Sequence, residues 1–273
     1  LIENPETMLP QAEIDALLQP QPDVVYPDFI HKTFSGVYFT DDENAWLDRT
    51  VHNIMYHLSD RYQQALAWFA LFQACIVKRP YNLFHRANLY MRTAQVKRSF
   101  GNKVTWDTPF EVHFRQFIAE ANRAVFNNQR QNQVLNVDAL QTPTGYDLVY
   151  VDPPYLNARG VGVDYRDFHH FLEGLHQYPQ WPQWIDYQSK HKRLTRQSSD
   201  WINADTISKA FNALFDRHKD SILVVSYRDD GIPSKEDLLR MLRNVKSDVR
   251  CYAQANQYAL SNKKSQELLF IAR

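Results

Sequence analysis

The sequence predicts an α/β fold, and two patterns support that prediction. In the first half of this 273-residue chain, apolar residues recur at the three- and four-residue spacing of amphipathic helices. From about residue 133 to Ala272, short β-branched runs alternate with helical stretches, which is the order expected of a sheet whose strands are connected by helices. We therefore predict a mainly helical region over residues 1–130 and a strand-containing core over residues 131–273.

The helical region is predicted to contain at least two helices between Asp41 and about Lys78. Their apolar faces are formed by Leu47, Val51, Ile54, Met55, Leu58, Leu66, Phe69 and Leu71. Asp41 or Asp42 is the expected amino-terminal cap, because a short acidic side chain accepts hydrogen bonds from the first free amides of a helix. The same periodicity predicts a further helix over residues 110–126.

The strand-containing core begins with the pattern of residues 133–137 and continues with strands at 148–151, 221–227 and 267–271. The run 148–151 is short, apolar and followed by two prolines, so it is predicted to be a buried parallel strand that ends there. Residues directly after such a strand lie at the carboxyl edge of the sheet, where open α/β proteins bind their ligands. The next residues are therefore the first candidates for a functional site.

Asp152, Pro153, Pro154 and Tyr155 occupy that position. This tetrapeptide resembles the catalytic motif of amino-directed DNA methyltransferases, which transfer a methyl group from S-adenosylmethionine to the exocyclic amino nitrogen of adenine. That amine is a poor nucleophile because its lone pair is delocalised into the ring. The resemblance implies that the Asp152 carboxylate and the Pro153 carbonyl accept its two N–H bonds. The rings of Pro153 and Pro154 fix the backbone that carries this carbonyl.

Tyr155 is expected to stack on the target adenine after the base has left the duplex, and such stacking is typically worth about 1–3 kcal/mol. Ser226 and Tyr227, in the next strand, resemble the Ser-Tyr pair that lines the target-base pocket in the same enzymes. Because the methyl donor is a sulfonium, the reaction needs alignment and a matched electrostatic site. We therefore predict neither a metal nor a covalent intermediate.

Segments throughout the chain narrow the resemblance to the adenine-specific D12 class. Residues 258–260 and 267–271 are similar to the closing hairpin of that class. In the first half, the matching segments are Tyr38-Phe39-Thr40, Asn44-Ala45, Leu47-Asp48, Phe100-Gly101-Asn102 and Trp106. The resemblance covers most of residues 1–273 and implies a Rossmann-like methyltransferase sheet with an inserted, mainly helical DNA-recognition lobe.

Cofactor contacts are implied by the residues that follow the predicted strand 133–137. Asp138 and Ala139 resemble the family segment whose acidic side chain and next backbone amide hold the adenine of S-adenosylmethionine. Asp152 is expected to contact the same cofactor. The alternative interpretation of Asp138 is a helix cap after a strand, which is nearly as common.

The chain departs from the family at its start. Enzymes of this class carry a Phe-x-Gly-x-Gly loop after the first strand, where the backbone approaches the methionine part of the cofactor. The chain has seven glycines and none forms this loop, since Tyr38 replaces the second glycine in the partial match at residues 34–38. The sequence opens with Leu1, and residues 1–4 resemble the helix after the family's second strand. We therefore expect a partial sheet that a complementary amino-terminal fragment completes.

Two basic segments are candidates for phosphate contacts. Their residues are Lys190, Lys192, Arg193 and Arg196 in one segment, and Lys97 and Arg98 in the other. A solvated surface is the commoner explanation for any single basic run, but beside a base-flipping motif phosphate contact is favoured. The formal net charge of zero does not decide the question, because DNA binding depends on a local basic stripe. The expected partner is double-stranded DNA with a flipped adenine.

Composition limits the remaining possibilities. With 44% hydrophobic residues the chain can bury a substantial core, and no run is long and apolar enough to span a bilayer. Cys75 and Cys251 are far apart and lack metal-like spacing, so we expect a reduced, cytoplasmic protein, with a structural disulfide as the alternative. Two other functions stay open: RNA adenine methylation, and a non-catalytic DNA-binding fragment or one half of a split methyltransferase.

Overall fold

The computed structural model describes residues 3–4, 6–95, 103–160, 162, 164–256 and 265–273. Two compact units are formed by Leu1–Val134 with Arg166–Thr195 and by Leu135–Tyr165 with Arg196–Arg273. The predicted boundary at residue 130 is close to the first junction, but the prediction assigned Arg166–Thr195 to the strand-containing core. That segment packs in the first unit because Phe171, Leu175 and Trp181 are buried in its hydrophobic core. Which unit recognises DNA stays a prediction.

Helices dominate the first unit. In chain order they are α1 (Gln11–Leu18), α2 (Phe29–Thr33), α3 (Asp41–Tyr56), α4 (Arg61–Val77), α5 (Tyr90–Thr93), α6 (Lys103–Asp107), α7 (Phe110–Ala124), α8 (Tyr165–Phe168), α9 (His170–His176) and α10 (Trp181–Trp184). The predicted pair of helices between residues 41 and 78 is confirmed as α3 and α4. The predicted helix over residues 110–126 is confirmed as α7, although it ends at Ala124.

The residue that caps α3 differs from the prediction. Thr40, and not Asp41 or Asp42, is the cap: its hydroxyl accepts a hydrogen bond from the Glu43 amide, and the Glu43 carboxylate accepts one from the Thr40 amide at 3.0 Å. This reciprocal pair satisfies two amides that the first helical turn would otherwise leave free. The two aspartates lie in that first turn, where negative charge is favourable beside the helix dipole.

The core of the first unit is built from aromatic side chains. Phe84 and Phe171 stack with ring centroids 5.2 Å apart, and Phe34 and Trp181 lie within 5.0 Å and 5.2 Å of Phe171. Gly174 of α9 faces this cluster, and a Cβ atom at that position would lie 1.9 Å from the Trp181 ring. A glycine is needed there because α9 approaches the buried Trp181 ring without room for any side chain.

Replacing Gly174 by alanine is expected to destabilise the first unit by about 1–3 kcal/mol, which is the usual cost of overpacking a core. Trp181 is fully buried and contacts the rings of Phe29 and Phe34, so moving it would disturb these contacts. Urea denaturation followed by circular dichroism measures the change. The control is Glu173→Ala, an exposed neighbour on the same helix, and equal stability of the two variants would contradict the prediction.

The second unit contains a four-stranded sheet. Its strands are β1 (Leu148–Val151), β2 (Ile222–Arg228), β3 (Val249–Asn256) and β4 (Ser265–Ala272). The spatial order is β1-β2-β4-β3, with β1 parallel to β2 and the other neighbours antiparallel. The prediction of an α/β fold is confirmed, and β1 is parallel as expected; a Rossmann-like sheet and a recognition lobe stay predictions.

Two further helices, α11 (Ile207–Arg217) and α12 (Lys235–Arg243), pack with one face of this sheet. Phe211 and Phe215 of α11 and Leu242 of α12 share a core with Val225 and Phe270 of the strands. This face of β2 and β4 is therefore buried. The parallel connection from β1 to β2 runs through α11, and it fixes the carboxyl ends of β1 and β2 side by side.

Two strand predictions are wrong. Residues 133–137 form no strand, and Val134 and Val137 are exposed. The strand β1 is not fully buried, since Leu148 and Tyr150 are more than half exposed. The two corrections have different causes. Among the residues that the structure describes, no strand pairs with the outer edge of β1, and an extended segment becomes a strand only when another strand completes its hydrogen bonds. Leu148 and Tyr150 are exposed because successive side chains of a strand point to opposite faces of the sheet, and theirs is the face opposite the buried Val151.

No helix in the described part of the chain has the length and hydrophobicity needed to cross a membrane. Cys75 and Cys251 are both free thiols, so the disulfide alternative is wrong. Burial raises the pKa of the Cys75 thiol well above its ordinary value, which keeps the thiol protonated within the helical core.

Candidate active site after strand β1

The predicted motif lies at the carboxyl edge of two parallel strands. Val151 and Val225 are the last residues of β1 and β2 that pair with each other. Asp152 and Ser226 come one residue later and therefore lie level with each other. The side chain of Asp152 is exposed, whereas Pro153 is buried, so the carboxylate faces solvent while the backbone behind it is held in the protein.

Hydrogen bonds link three of the predicted site residues. The Tyr155 hydroxyl donates to Oδ1 of Asp152 at 3.4 Å. The hydroxyl oxygen of Tyr155 also lies 3.1 Å from Oγ of Ser226. Tyr155 is half-buried, and its ring contacts the Tyr227 ring edge-on with centroids 5.4 Å apart. The structure thus brings Asp152, Tyr155 and Ser226 together, as the prediction requires.

Tyr227 lies behind Tyr155 and is fully buried. Its hydroxyl donates to the Ile232 carbonyl oxygen and accepts from the Leu156 amide. Burial raises the pKa of Tyr227 above its ordinary value, which favours this neutral, donating form. Because a buried ring has no surface for a base, the structure offers Tyr227 as a support for Tyr155 and not as a wall of a base pocket.

A cavity of about 430 Å³ opens beside the motif on the second unit. Its lining comes from three places: the turn that begins at Asp138, β1 with the motif, and α11 with residues on either side of it. The lining residues are Asp138, Ala139, Thr142, Val149, Tyr150, Val151, Asp152, Pro153, Pro154, Trp201, Leu214 and His218. The volume suits a nucleoside-sized ligand, and every predicted cofactor-binding residue is on this wall.

Asp138 caps a turn, as its alternative interpretation predicts, and its contact with the cofactor stays a prediction. Its Oδ1 accepts a hydrogen bond from the Leu140 amide at 2.8 Å, so it caps the short 3₁₀ turn Ala139–Gln141. The carboxylate also lines the cavity. An aspartate can do both because its two oxygens offer several acceptor positions.

Trp201 and His218 are among the cavity residues that sequence reasoning missed. The Trp201 ring packs edge-on against Phe211 of α11, at a centroid distance of 5.3 Å. The single hydrogen of the Thr142 hydroxyl is donated to the Ala139 carbonyl. The hydroxyl oxygen therefore accepts a hydrogen bond from Nε2 of His218, which lies 3.2 Å away. Burial, and then the charge of Arg217, lowers the pKa of His218, which is therefore neutral at pH 7. The signal in the sequence that could have indicated Trp201 is its position as an isolated aromatic residue in a polar segment.

Two curated proteins resemble the chain. It is 27% identical over 285 residues to the Type II methyltransferase M2.HphI of Haemophilus parahaemolyticus, a match that spans 99% of this chain and 78% of the relative. It is 29% identical over 165 residues to the modification methylase StsI of Streptococcus sanguinis, spanning 54% of this chain and 23% of that protein. The similarity supports a methyltransferase. No protein-family model and no solved structure gives a significant match.

The basic residues predicted to bind DNA lie in different parts of this methyltransferase-like chain. Lys190, Lys192 and Arg193 belong to the first unit and Arg196 to the second, while Lys97 and Arg98 lie outside the described residues. Arg193 forms an ion pair with Asp186 at 3.2 Å. Lys192 donates to the Tyr187 carbonyl at 2.9 Å. Lys190 and Arg196 are exposed. Within the described residues, no group of His, Cys, Asp or Glu side chains has the arrangement of a metal site.

Proposed function

We propose that this chain is the catalytic part of an S-adenosylmethionine-dependent methyltransferase that methylates the exocyclic amino group of adenine in DNA, as the modification enzyme of a restriction–modification system. The observation that carries the proposal is the motif of residues 152–155 at the carboxyl edge of β1 and β2, beside a nucleoside-sized cavity. The names of the two relatives, a Type II methyltransferase and a modification methylase, support the methyl-transfer part of this proposal.

The cavity fits the nucleoside part of S-adenosylmethionine. The Asp138 carboxylate offers an acceptor for amino or hydroxyl groups, and the Ala139 backbone amide is the proposed donor to a ring nitrogen. Val149 and Trp201 provide apolar surface for a planar ring, while Asp152 marks the reacting end. When bound, S-adenosylmethionine supplies an electrophilic methyl group on its sulfonium.

Asp152 and Pro153 are the residues proposed to prepare the adenine amine. The exposed carboxylate accepts one N–H and the Pro153 carbonyl accepts the other. Two acceptors placed out of the ring plane turn the nitrogen lone pair away from the ring and toward the methyl group. The carboxylate can also accept the proton that the amine loses. This arrangement acts by position and electrostatics, which can supply most of a rate enhancement.

Tyr155 is proposed to stack on the flipped adenine. Its ring is held on two sides, by the edge-on contact with Tyr227 and by the hydrogen bonds of its hydroxyl. A ring fixed in this way loses little conformational freedom when a base stacks on it. Ser226 also lines a separate cavity of about 530 Å³ over the sheet, together with Tyr150 and Tyr252, which offers room near the motif for part of the substrate.

Lys190 is the sharpest test of the proposed phosphate contacts because it is exposed. The Lys190→Ala variant is expected to weaken binding to duplex DNA at every sequence and to lower the slope of log K against log salt by about one unit. A filter-binding titration measures the slope. Lys219→Ala, which removes a lysine paired with Asp216 on the second unit, serves as control; an unchanged slope for Lys190→Ala removes that residue from the interface.

A complementary amino-terminal segment is proposed as the partner that completes the sheet. The outer edge of β1 has no partner strand among the described residues, and Leu148 and Tyr150 expose apolar surface beside it. Residues 133–137 keep a strand-like sequence without forming a strand. A strand placed parallel to β1 would satisfy the backbone groups of that edge.

Tritium transfer from labelled S-adenosylmethionine tests the proposed function. The samples are this chain, its Asp152→Ala variant, and this chain supplemented with a polypeptide that carries the family's first two strands. Transfer to unmethylated duplex DNA, with N6-methyladenine as the product in a nuclease digest, is the expected result in the supplemented sample, and it should be lost in Asp152→Ala. Transfer by this chain alone would show that the completing segment is not needed. Transfer only to RNA would favour the RNA enzyme, and no transfer in any sample would favour a non-catalytic DNA-binding fragment.

A further inference from the structure

We propose that Ser226 is a positioning residue that acts through the Tyr155 hydroxyl to orient the Asp152 carboxylate. The inference rests on the proposed methyltransferase function and adds a role that stacking does not require. Tyr155 then has two separate tasks. Its ring contacts the base, and its hydroxyl connects β2 to the catalytic carboxylate.

The direction of the hydrogen bonds follows from the donors that are present. An ionised carboxylate can only accept, so the single hydroxyl hydrogen of Tyr155 points to Oδ1 of Asp152 at 3.4 Å. The Tyr155 oxygen must then accept from Ser226, whose Oγ lies 3.1 Å away. The resulting chain runs from the Ser226 hydroxyl to the Tyr155 hydroxyl and ends on the carboxylate, and each bond of such a chain polarises the next.

Ser226 is the rigid end of this chain. Its backbone is in register with Leu269 of β4, and it directly follows Val225, the last residue of β2 that pairs with β1. Asp152 and Tyr155, in contrast, follow the end of β1, where strand pairing has stopped. A hydroxyl on β2, which stays paired with β4 beyond the end of β1, can therefore fix two side chains that follow the last paired residue of β1.

The consequence for the reaction is that one carboxylate oxygen is held and the other is presented. With Oδ1 engaged by Tyr155, Oδ2 is the oxygen that remains for the N–H group of the adenine amine. Without these hydrogen bonds the exposed Asp152 carboxylate can rotate about its side-chain bonds and spends less time in the productive orientation. Loss of the hydrogen bonds should thus slow the chemical step while leaving stacking on the Tyr155 ring intact.

Steady-state kinetics with unmethylated duplex DNA test the kinetic part. Ser226→Ala and Tyr155→Phe are each expected to lower kcat about 10-fold with KM for DNA nearly unchanged, because both keep the aromatic ring. The double variant should be no slower than Tyr155→Phe alone, since both substitutions break the same series of hydrogen bonds. Ser226→Thr should restore most of the rate. Ser247→Ala, an exposed serine of the same unit, is the control and should behave as the unaltered protein.

Urea unfolding of the same variants tests the hydrogen bonds between Ser226, Tyr155 and Asp152 without relying on activity. If the hydrogen bonds exist, Ser226→Ala and Tyr155→Phe will be non-additive by about 2- to 10-fold in the unfolding equilibrium constant. Additive effects would overturn the inference whether or not the protein is active. Non-additive unfolding with unchanged kcat in an active preparation would overturn the positioning role. Absence of methyl transfer by the unaltered protein, both alone and with the completing segment, would instead overturn the proposed function itself, and with it the kinetic role of Ser226.

Discussion

The Asp152→Ala variant is expected to transfer methyl groups about 1,000-fold more slowly than the unaltered enzyme. The substitution removes the acceptor for one N–H of the adenine amine, the nearby negative charge, and the anchor of the Tyr155 hydroxyl. Loss of a positioned charged or proton-accepting group typically costs a factor of about 100 to 10,000 in kcat. Single-turnover tritium transfer into unmethylated duplex DNA measures the chemical step directly.

Two controls separate this effect from a loss of folding. Asp147→Ala removes an exposed aspartate next to the opposite end of β1 and should leave the rate within about two-fold, as expected for a surface change away from the site. Asp152→Asn keeps the shape of the side chain but removes its charge. Its rate of methyl transfer should lie between those of Asp152→Ala and Asp147→Ala. The free energies of unfolding of all three should agree within about 1 kcal/mol, because Asp152 is exposed and, within the described part of the chain, accepts a single side-chain hydrogen bond, from Tyr155. A rate for Asp152→Ala close to that of Asp147→Ala would show that the motif does not catalyse.

Replacing Glu43 by alanine is expected to destabilise the first unit by about 3–5 kcal/mol, the usual cost of breaking a buried ion pair. The Glu43 carboxylate accepts two hydrogen bonds from Arg92 at 2.8 Å and lies 2.8 Å from Nζ of Lys78. Both cations are almost fully buried. Without Glu43 they keep carbonyl partners such as that of Trp106 and contacts with the rings of Phe110 and Phe39, none of which carries a negative charge. The variant also loses the capping pair with Thr40.

The pH dependence gives a second signature of the same cluster. Burial opposes ionisation of Glu43, but hydrogen bonds and charge from Arg92 and Lys78 outweigh it and lower the pKa of its carboxyl below the ordinary value of 4.5. The stabilisation is therefore complete above pH 4.5 and is lost as the pH falls through the lower folded-state pKa. Urea denaturation at several pH values should show a shallower acid decline for Glu43→Ala. Asp42→Ala, in the same helical turn but exposed, should keep the decline of the unaltered protein.

Local patterns predicted the elements that local forces determine. Helices α3, α4 and α7 follow from apolar spacing, because their buried residues, such as Leu47, Leu66 and Phe114, lie on one face. The position of Asp152 at a strand end followed from an apolar run stopped by two prolines. Adjacency of Asp152 and Tyr155 to Ser226 was predicted only through the family resemblance, since 71 residues separate Tyr155 from Ser226.

The features that were missed depend on distant partners. Residues 133–137 have strand propensity, but propensity is expressed only beside another strand. The placement of Arg166–Thr195 in the first unit depends on how Trp181 meets Gly174 and the aromatic core, which no spacing rule reveals. Thr40 displaced Asp41 as the cap because Glu43 could return its hydrogen bond. Trp201 became a cavity residue only when α11 packed beside β1.

The outer edge of β1 also affects how the protein behaves in solution. A strand whose backbone groups are unpaired is a template for any extended peptide, and soluble proteins usually protect such edges with lysine, proline or a bulge. Residues 148–151 contain none of these side chains and expose Leu148 and Tyr150 instead. Two copies of the chain can therefore join edge to edge, in competition with the strand that would complete the sheet. Protein concentration thus becomes a variable of every activity measurement, because self-association would remove the surface on which a completing segment folds.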